Sequence, residues 1–170
     1  MRFETILAQD IQYNPFEMIG KQWLLVSAGD KERCNTMTAS WGGVGVIWNK
    51  NVVMVYIRPQ RYTHELMEAS DYFCVSVLPE SMRQVLAYCG KASGRDEDKL
   101  AVSHLTPRFE KTISGFEEAD LNIYCRKLYA ADLTPEGFTD TMLDTRNYPK
   151  KDYHTMYIGE IIKVEKKHQD

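Results

Sequence analysis

One run of residues, 52–57 (VVMVYI), limits the fold of this chain more than any other feature of its sequence. The run is continuously apolar, and most of its residues are β-branched or aromatic. This composition is typical of a β-strand that is buried on both faces. The polar sequence Asn49-Lys50-Asn51 directly before it is typical of a turn. We therefore predict a hairpin with strands at 44–48 and 52–58.

The remaining sequence also favours strands. Four further runs rich in β-branched and aromatic residues predict strands at 23–28, 72–78, 121–128 and 157–164. Long helices that alternate with strands, as in dinucleotide-binding folds, are absent from the pattern. The sequence therefore predicts a mainly β fold with short helices, built as a barrel or a sandwich.

The predicted helices are few and short. Thr63 is a suitable N-cap for the sequence HELMEAS that follows it. Pro79 suits the start of a second helix, which continues through 80–88 and stops at Gly90. Residues 96–103, with acidic residues in the first turn, predict a third helix.

Length and composition fit one domain spanning residues 1–170. The chain is 44% apolar and 26% charged, which allows a packed core. Its net charge of −3 argues against a general nucleic-acid-binding protein, which would carry a basic surface. No apolar stretch is long enough to cross a bilayer, and the N-terminal MRFETILAQD does not resemble a signal peptide. We expect a cytoplasmic protein without a nucleic-acid or membrane partner.

The four cysteines predict structural thiols and not a redox relay. No two of them form a Cys-x-x-Cys pair, and the histidines lack metal-ligand spacing, so no metal site is expected. Cys74 and Cys125 lie in the middle of predicted strands. Cys34 and Cys89 flank the segments described next and are the only exceptions considered.

The segment 34–45 (CNTMTASWGGVG) has an unusual alternation for a strand. One face would carry the hydroxyls of Thr36, Thr38 and Ser40, because side chains alternate along a strand. The other face would carry Asn35, Met37, Ala39 and Trp41. The glycines that follow let a backbone approach another group closely. The segment is either a strand with a polar solvent face or an edge that binds a ligand.

Two polar segments are candidates for binding an anion. RPQRYTHE (58–65) combines Arg58, Arg61 and Thr63 with the start of a helix, a set that suits phosphate. CGKASGRDEDKL (89–100) places Lys91 and Ser93 in a glycine-containing loop. A solvated basic turn and a salt-bridged helix start are the structural alternatives for these segments.

The segment YHTMYIGEI (153–161) places His154 directly before an apolar strand. A histidine there either lies at a sheet edge without a function or contacts an anionic ligand. No Ser-His-Asp set, Walker A sequence or Gly-x-Gly-x-x-Gly motif accompanies it.

Together, these motifs resemble the flavin reductase-like family with the FMN-binding split β-barrel, which includes the flavoredoxins. The resemblance rests on NTMTASW (35–41), RPQRYT (58–63), CGKASGRDEDK (89–99) and HTMYIGEI (154–161), which occur in the family's order and near its spacing. It covers residues 15–165. It implies that the segment 34–45 runs beside the flavin ring of FMN.

The resemblance also implies which residues hold the cofactor. Contacts to the ring and the ribityl chain would come from Asn35, Thr36, Met37, Thr38, Ala39, Ser40 and Trp41. Contacts to the phosphate and the ribityl chain would come from Arg58, Arg61, Tyr62 and Thr63, with Lys91 and Ser93 as a second phosphate clamp. His154 would lie where an electron donor approaches, and an imidazolium there would stabilise the reduced flavin.

The function implied is that of an FMN-binding oxidoreductase. It would be either a flavin reductase that uses NADH or NADPH, or a flavoredoxin-like electron carrier with a redox partner protein. Family members are typically homodimers with FMN near the subunit interface, so a homodimer is expected. A non-enzymatic protein that stores FMN, and a β-barrel protein without flavin, are the alternatives.

Overall fold

A long antiparallel sheet forms the body of the protein. The computed structural model describes residues 2–168 of the chain. The strands are β1 Phe3–Ile6, β2 Leu24–Gly29, β3 Cys34–Ala39, β4 Gly42–Ile47, β5 Lys50–Ile57, β6 Tyr72–Val77, β7 Pro107–Glu110, β8 Ile113–Phe116, β9 Leu121–Asp132 and β10 Thr155–Lys167. The α-helices are α1 Pro15–Glu17, α2 Tyr62–Ala69, α3 Arg83–Lys91, α4 Lys99–Val102 and α5 Thr141–Asn147. This confirms the predicted mainly β fold with short helices.

The order of the strands leaves the sheet open. Its path is β3-β2-β6-β9-β10-β5-β4, with β1 paired to the far end of β10, and β7 and β8 form a separate ribbon. Within residues 2–168, β3 pairs with β2 alone and β4 with β5 alone, so these two strands are the edges. An edge strand presents unpaired backbone N–H and C=O groups to whatever lies beside it.

Both faces of the sheet are buried in its central strands. Leu24 and Val26 of β2 belong to the main core, whereas Leu25 between them packs with Leu86 of α3 and Phe116 of β8. Because alternate side chains point to opposite faces, one strand serves two apolar layers. Such strands have near-continuous apolar sequences, which is why they were predictable.

The predicted central hairpin is confirmed, but its second strand is not buried throughout. Strands β4 and β5 pair with Gly43 opposite Met54. Val53, Val55 and Ile57 are buried, whereas Met54 and Tyr56 on the other face are only half-buried. This face borders the open side of the sheet, so the prediction of burial on both faces was wrong there.

The helices begin and end at other residues than predicted. The N-cap of α2 is Arg61, and Thr63 lies buried in the first turn, where its hydroxyl accepts a hydrogen bond from Asn35 Nδ2 at 2.9 Å. Helix α3 passes through Gly90 and ends at Lys91. The third helix is shortened to α4 because the Asp98 carboxylate caps it by accepting the N–H groups of the second and third residues after it.

Several elements were not predicted from sequence. Strand β1, the β7–β8 ribbon and α5 are short and carry few apolar residues in a regular period. Their stability comes from partners elsewhere in the chain, such as the pairing of β1 with β10. No helix among the described residues is long and apolar enough to span a membrane.

Buried hydrogen bonds attach β8 to the sheet. The Asn122 side chain, which is fully buried on β9, bonds both backbone groups of Phe116 at 3.0 Å and accepts the Ser76 hydroxyl at 2.6 Å. The Phe116 carbonyl also accepts the Ala119 N–H at 3.3 Å, whereas Asn122 is the acceptor of the buried Phe116 N–H and of the Ser76 hydroxyl, whose other contact is the Cys74 thiol at 3.7 Å. The pairing therefore fixes where β8 lies on the core.

We predict that Asn122→Ala lowers the free energy of unfolding by about 2–4 kcal/mol, because it removes the acceptor of two buried donors, the Phe116 N–H and the Ser76 hydroxyl. Asn51→Ala, which removes an exposed amide with one long contact to Gln9, is the control and is expected to change it by less than about 0.5 kcal/mol. Urea unfolding of both variants measures the difference. Equal stability of the two variants would show that the Asn122 bonds do not hold β8.

Candidate functional site

A pocket lies at the open side of the sheet, where the edge strand β3 faces β5 and the start of β10. Its volume is about 210 Å³. The residues that line it are Met37, Thr38, Ala39, Ser40, Trp41, Tyr56, Arg58, Arg61 and His154. Three of the four sequence motifs therefore meet at one place, although they are far apart along the chain.

Strand pairing explains this convergence. The register of β10 with β5 places Thr155 opposite Ile57, so the preceding residue, His154, lies opposite Arg58. Tyr56 and Arg58 are two residues apart and therefore share the face of β5 that is not packed in the core. Residues 37–39 belong to the edge strand β3, and Ser40 and Trp41 follow its end, so the outward backbone groups of this segment have no strand partner within residues 2–168.

An apolar cleft of about 500 Å³ adjoins the pocket and shares Ser40, Trp41 and Tyr56 with it. Its other walls come from α1, the turn after it and the first residues of β4. Gly42 has no space for a side chain, because a Cβ atom there would lie 2.7 Å from the Met54 carbonyl oxygen. The pocket and the cleft together have the size of a cofactor-binding site.

The hydroxyl face of β3 does not face solvent. Thr36 is fully buried and its hydroxyl donates to the Val26 carbonyl at 3.2 Å. Thr38 donates to the Leu86 carbonyl of α3 at 2.5 Å, and α3 covers this face. The interpretation as a polar solvent face was therefore wrong for Thr36 and Thr38, whereas Ser40, beyond the end of β3, is exposed. The small side chains allow a helix to pack closely.

Arg58 is anchored by the segment that follows α5. Its guanidinium donates to the backbone carbonyls of Asn147 at 2.9 Å and Asp152 at 3.2 Å. It also forms a 2.7 Å ion pair with the Asp152 carboxylate and lies 5.0 Å from the centre of the Tyr148 ring. These contacts hold Arg58 at the pocket wall and partly neutralise its charge.

Arg61 and Lys99 both bind the C-terminal end of α3. Arg61 donates to the carbonyls of Gly90 at 2.7 Å and Cys89 at 3.1 Å. Lys99 Nζ donates to the carbonyls of Cys89 at 3.0 Å and Ala92 at 3.1 Å. Cations are stabilised here because the last carbonyls of a helix are unpaired and carry partial negative charge. Burial nevertheless lowers the pKa of Lys99 to about 8.

Arg61 still has donors for a ligand. A guanidinium has five N–H groups, and the bonds of Arg61 to Gly90 and Cys89 use only two of them. Its side chain also lines the pocket, whereas Lys99 is buried behind it. Arg61 is therefore the cation best placed to meet an anion in the pocket.

His154 is almost fully buried between two aromatic rings. Its ring lies 5.1 Å from that of Trp41 and 5.6 Å from that of Tyr148, centre to centre. Burial, and then the positive charge of Arg58, lower the pKa of His154 to about 4. The imidazole is thus neutral at neutral pH, and the imidazolium expected from the sequence is not the form present.

Six of the predicted site residues do not line the pocket. Thr36 is buried under α3, and Asn35 bonds Thr63 in the interior. The other four predicted residues outside the pocket lining are Tyr62, Thr63, Lys91 and Ser93. Tyr62 packs between the guanidiniums of Arg33 and Arg95 and, with Asn35, lines a separate cleft of about 670 Å³.

The four cysteines are unpaired thiols, and three of them are buried. Burial raises the pKa of Cys34 to about 11 and raises that of Cys89 as well. Neither thiol lines the pocket, so the structural role predicted for the cysteines fits their positions. Among residues 2–168, no group of three His, Cys, Asp or Glu side chains is arranged to hold a metal ion.

A model of the flavin reductase like domain matches residues 17–170 of this chain. The chain belongs to this family. Flavoredoxin from Methanosarcina acetivorans superposes with a TM-score of 0.68 at 23% identity, over 98% of this chain and 77% of that one. An NADH:FAD oxidoreductase from Streptomyces globisporus superposes with a TM-score of 0.65 at 16% identity, over 86% of this chain and 74% of that one. A protein from Pyrococcus abyssi, described as uncharacterized, is 26% identical over 138 residues, 81% of this chain and 69% of that protein.

Membership of the flavin reductase like family confirms the resemblance inferred from the four motifs, and the two structural likenesses confirm the fold. The motifs did not reveal Tyr56 and Tyr148. The position of Tyr56 had one signal, since it is two residues before Arg58. Tyr148 had none, because its contacts depend on how distant segments pack. Lys99 lies at the end of the motif 89–99, but its bonds to the end of α3 were not predicted.

Proposed function

We propose that this protein binds FMN in the pocket between β3, β5 and β10 and acts as an oxidoreductase through it. The observation that carries the proposal is the segment 37–41, at the end of the edge strand β3, which lines one pocket together with Tyr56, Arg58 and His154. The family of the chain supports the same assignment.

The chemistry of the lining fits FMN. A flavin ring is flat, with one apolar end and one polar edge, and Trp41, Tyr56 and the apolar cleft supply surfaces for the former. The backbone of β3 and the unbonded hydroxyl of the exposed Ser40 supply donors and acceptors for the latter. Arg61, supported by Arg58, supplies positive charge for the phosphate. When bound, the flavin supplies the redox chemistry.

The remaining predicted residues have supporting positions in this proposal. Asn35, Thr36 and Thr63 tie β3 to β2 and α2, and so hold the edge strand in place. Lys91 is the last residue of α3 and Ser93 follows two residues later, close in sequence to the carbonyls that bind Arg61. Lys91 and Ser93 remain predicted contacts to the phosphate of FMN.

Anaerobic reduction of the purified protein tests the proposal. A yellow protein with a flavin spectrum is expected, and rapid bleaching by NADH or NADPH supports a flavin reductase. Bleaching by reduced ferredoxin but not by a nicotinamide supports a flavoredoxin-like carrier. A yellow protein that no donor reduces supports the alternative, an FMN-binding or storage protein. A colourless protein that takes up no added FMN overturns the assignment.

We also propose that a second copy of the chain covers β4. Val46 is 72% exposed, and Ile47 and Trp48 beside it are exposed too. Exposed apolar side chains on an edge strand favour pairing with another molecule. Light scattering is expected to give the mass of a homodimer, and the mass of one chain at micromolar concentration would refute this.

We predict that Arg61→Ala weakens FMN binding about 10–100-fold, because a charge-assisted hydrogen bond contributes roughly 1.5–3 kcal/mol. Riboflavin, which lacks the phosphate, is expected to lose far less affinity. Arg126→Ala, which removes an exposed guanidinium paired with Glu160, is the control and leaves both ligands unaffected. Fluorescence titration of wild type and both variants with each ligand measures the six affinities.

The same titration on Lys91→Ala tests the second phosphate clamp, with a smaller selective loss of FMN expected. Equal losses of FMN and riboflavin in Arg61→Ala would assign Arg61 only to holding the end of α3.

We predict that His154→Ala slows flavin reduction about tenfold, or about 1.4 kcal/mol of barrier, with FMN affinity little changed. Because the pKa of His154 is about 4, its charge does not change between pH 6 and 9. The ratio of wild-type to variant rates is therefore expected to stay constant over that range in stopped-flow measurements. His168→Ala, at an exposed histidine, is the control.

A thousandfold loss of rate in His154→Ala would make the histidine an obligatory catalyst. A rate ratio that titrates between pH 6 and 9 would show that the protonated ring is the active form.

A further inference from the structure

Tyr148 lies behind His154, outside the residues that line the pocket. It is only 2% exposed, at the C-terminal end of α5, and packs against the rings of Phe138 and Tyr153. Its hydroxyl oxygen is 2.8 Å from His154 Nδ1. Neither the Tyr148 hydroxyl nor the His154 ring forms another side-chain hydrogen bond within residues 2–168.

The direction of this hydrogen bond follows from the surroundings. If Nδ1 carried the proton and donated it, the Tyr148 hydroxyl would need another acceptor for its own proton. No other hydrogen bond of this hydroxyl is formed within residues 2–168, and Tyr148 is only 2% exposed, so its proton would be buried without an acceptor. The Tyr148 O–H therefore donates to an unprotonated Nδ1.

The other ring nitrogen then carries the proton. A neutral imidazole has one N–H, so an unprotonated Nδ1 requires Nε2–H. Nε2 makes no hydrogen bond within residues 2–168 and is not among the fully buried polar atoms, so it keeps access to the pocket that His154 lines.

The charges around His154 are consistent with a neutral ring. Arg58, which directly follows β5 and lies opposite His154, disfavours protonation, and Asp152 favours it but is paired with Arg58 at 2.7 Å. Trp41 and Tyr148, which pack against the ring, are uncharged at neutral pH, because the pKa of Tyr148 is raised, mainly by burial.

We propose that Tyr148 is a positioning residue that holds His154 in its neutral Nε2–H tautomer, which gives the pocket a fixed hydrogen-bond donor without a charge. Such a donor suits a polar atom on a neutral or delocalised ring and does not compete with Arg61 for a phosphate. The use of this donor toward a flavin rests on the proposed function, whereas the tautomer itself does not.

Nitrogen-15 NMR of the histidine rings tests the proposal on protein freed of any flavin. The chain has four histidines, and His154→Gln identifies the signals of residue 154. At pH 7 the wild type is expected to show more than about nine-tenths Nε2–H at this residue. Tyr148→Phe is expected to give a mixture in which the Nδ1–H form is at least twice as populated.

Tyr153→Phe is the matched control. It removes the neighbouring hydroxyl, which donates to Asp144 at 2.7 Å, while leaving the Tyr148 contact intact. In Tyr153→Phe, the tautomer of His154 is expected to equal that of the wild type. A wild-type ring that is protonated or mainly Nδ1–H at pH 7 overturns the proposal, even if Tyr148→Phe does not fold. An unchanged tautomer in a folded Tyr148→Phe overturns it as well.

Reduction kinetics of the FMN-loaded protein then measure the consequence. Tyr148→Phe is expected to slow bleaching about three- to fivefold with unchanged FMN affinity, and Tyr153→Phe less than twofold. Failure of the protein to bind flavin refutes the proposed function but leaves the NMR result standing. A normal rate in Tyr148→Phe with a shifted tautomer refutes the role of the donor in reduction.

Discussion

The pairing of β10 with three other strands is the interaction on which the rest of the structure depends. Strand β10 pairs with β9 along most of its length, and its other edge is shared by β5 near the start and β1 near the end. This arrangement joins residues from both ends of the chain. It places His154 across from Arg58, and at the other end buries Glu165 against Arg108, at 2.7 Å.

The open side of the sheet, between the edge strands β3 and β4, is where backbone groups remain available to a ligand. A closed barrel would satisfy the backbone of β3 internally, whereas an edge strand keeps donors and acceptors available. The cations beside this open side already form hydrogen bonds within the protein. Arg58 ties down the segment after α5, and Arg61 with Lys99 neutralises the end of α3. The positive charge at the pocket is therefore rigidly placed.

Much of the fold and part of the site were predictable from the residues. Strands with apolar residues on both faces, such as β2, β6 and β5, stand out because their sequences are continuously apolar. The site motifs were recognisable as an ordered set, yet Asn35 and Thr63 turned out to bond each other inside the protein. A polar residue in a motif has the same appearance whether its partner is a ligand or a neighbouring side chain.

The sequence by itself determined the apolar strands of the main sheet, the absence of long helices, and the family, because these follow from local periodicity and from short motifs in order. Only the tertiary structure decided which face of β3 is covered, which cations are already bonded, and that His154 is neutral. These properties depend on burial and on contacts between distant segments, such as Thr38 with Leu86 and His154 with Tyr148. Neither burial nor such a contact can be obtained from local periodicity.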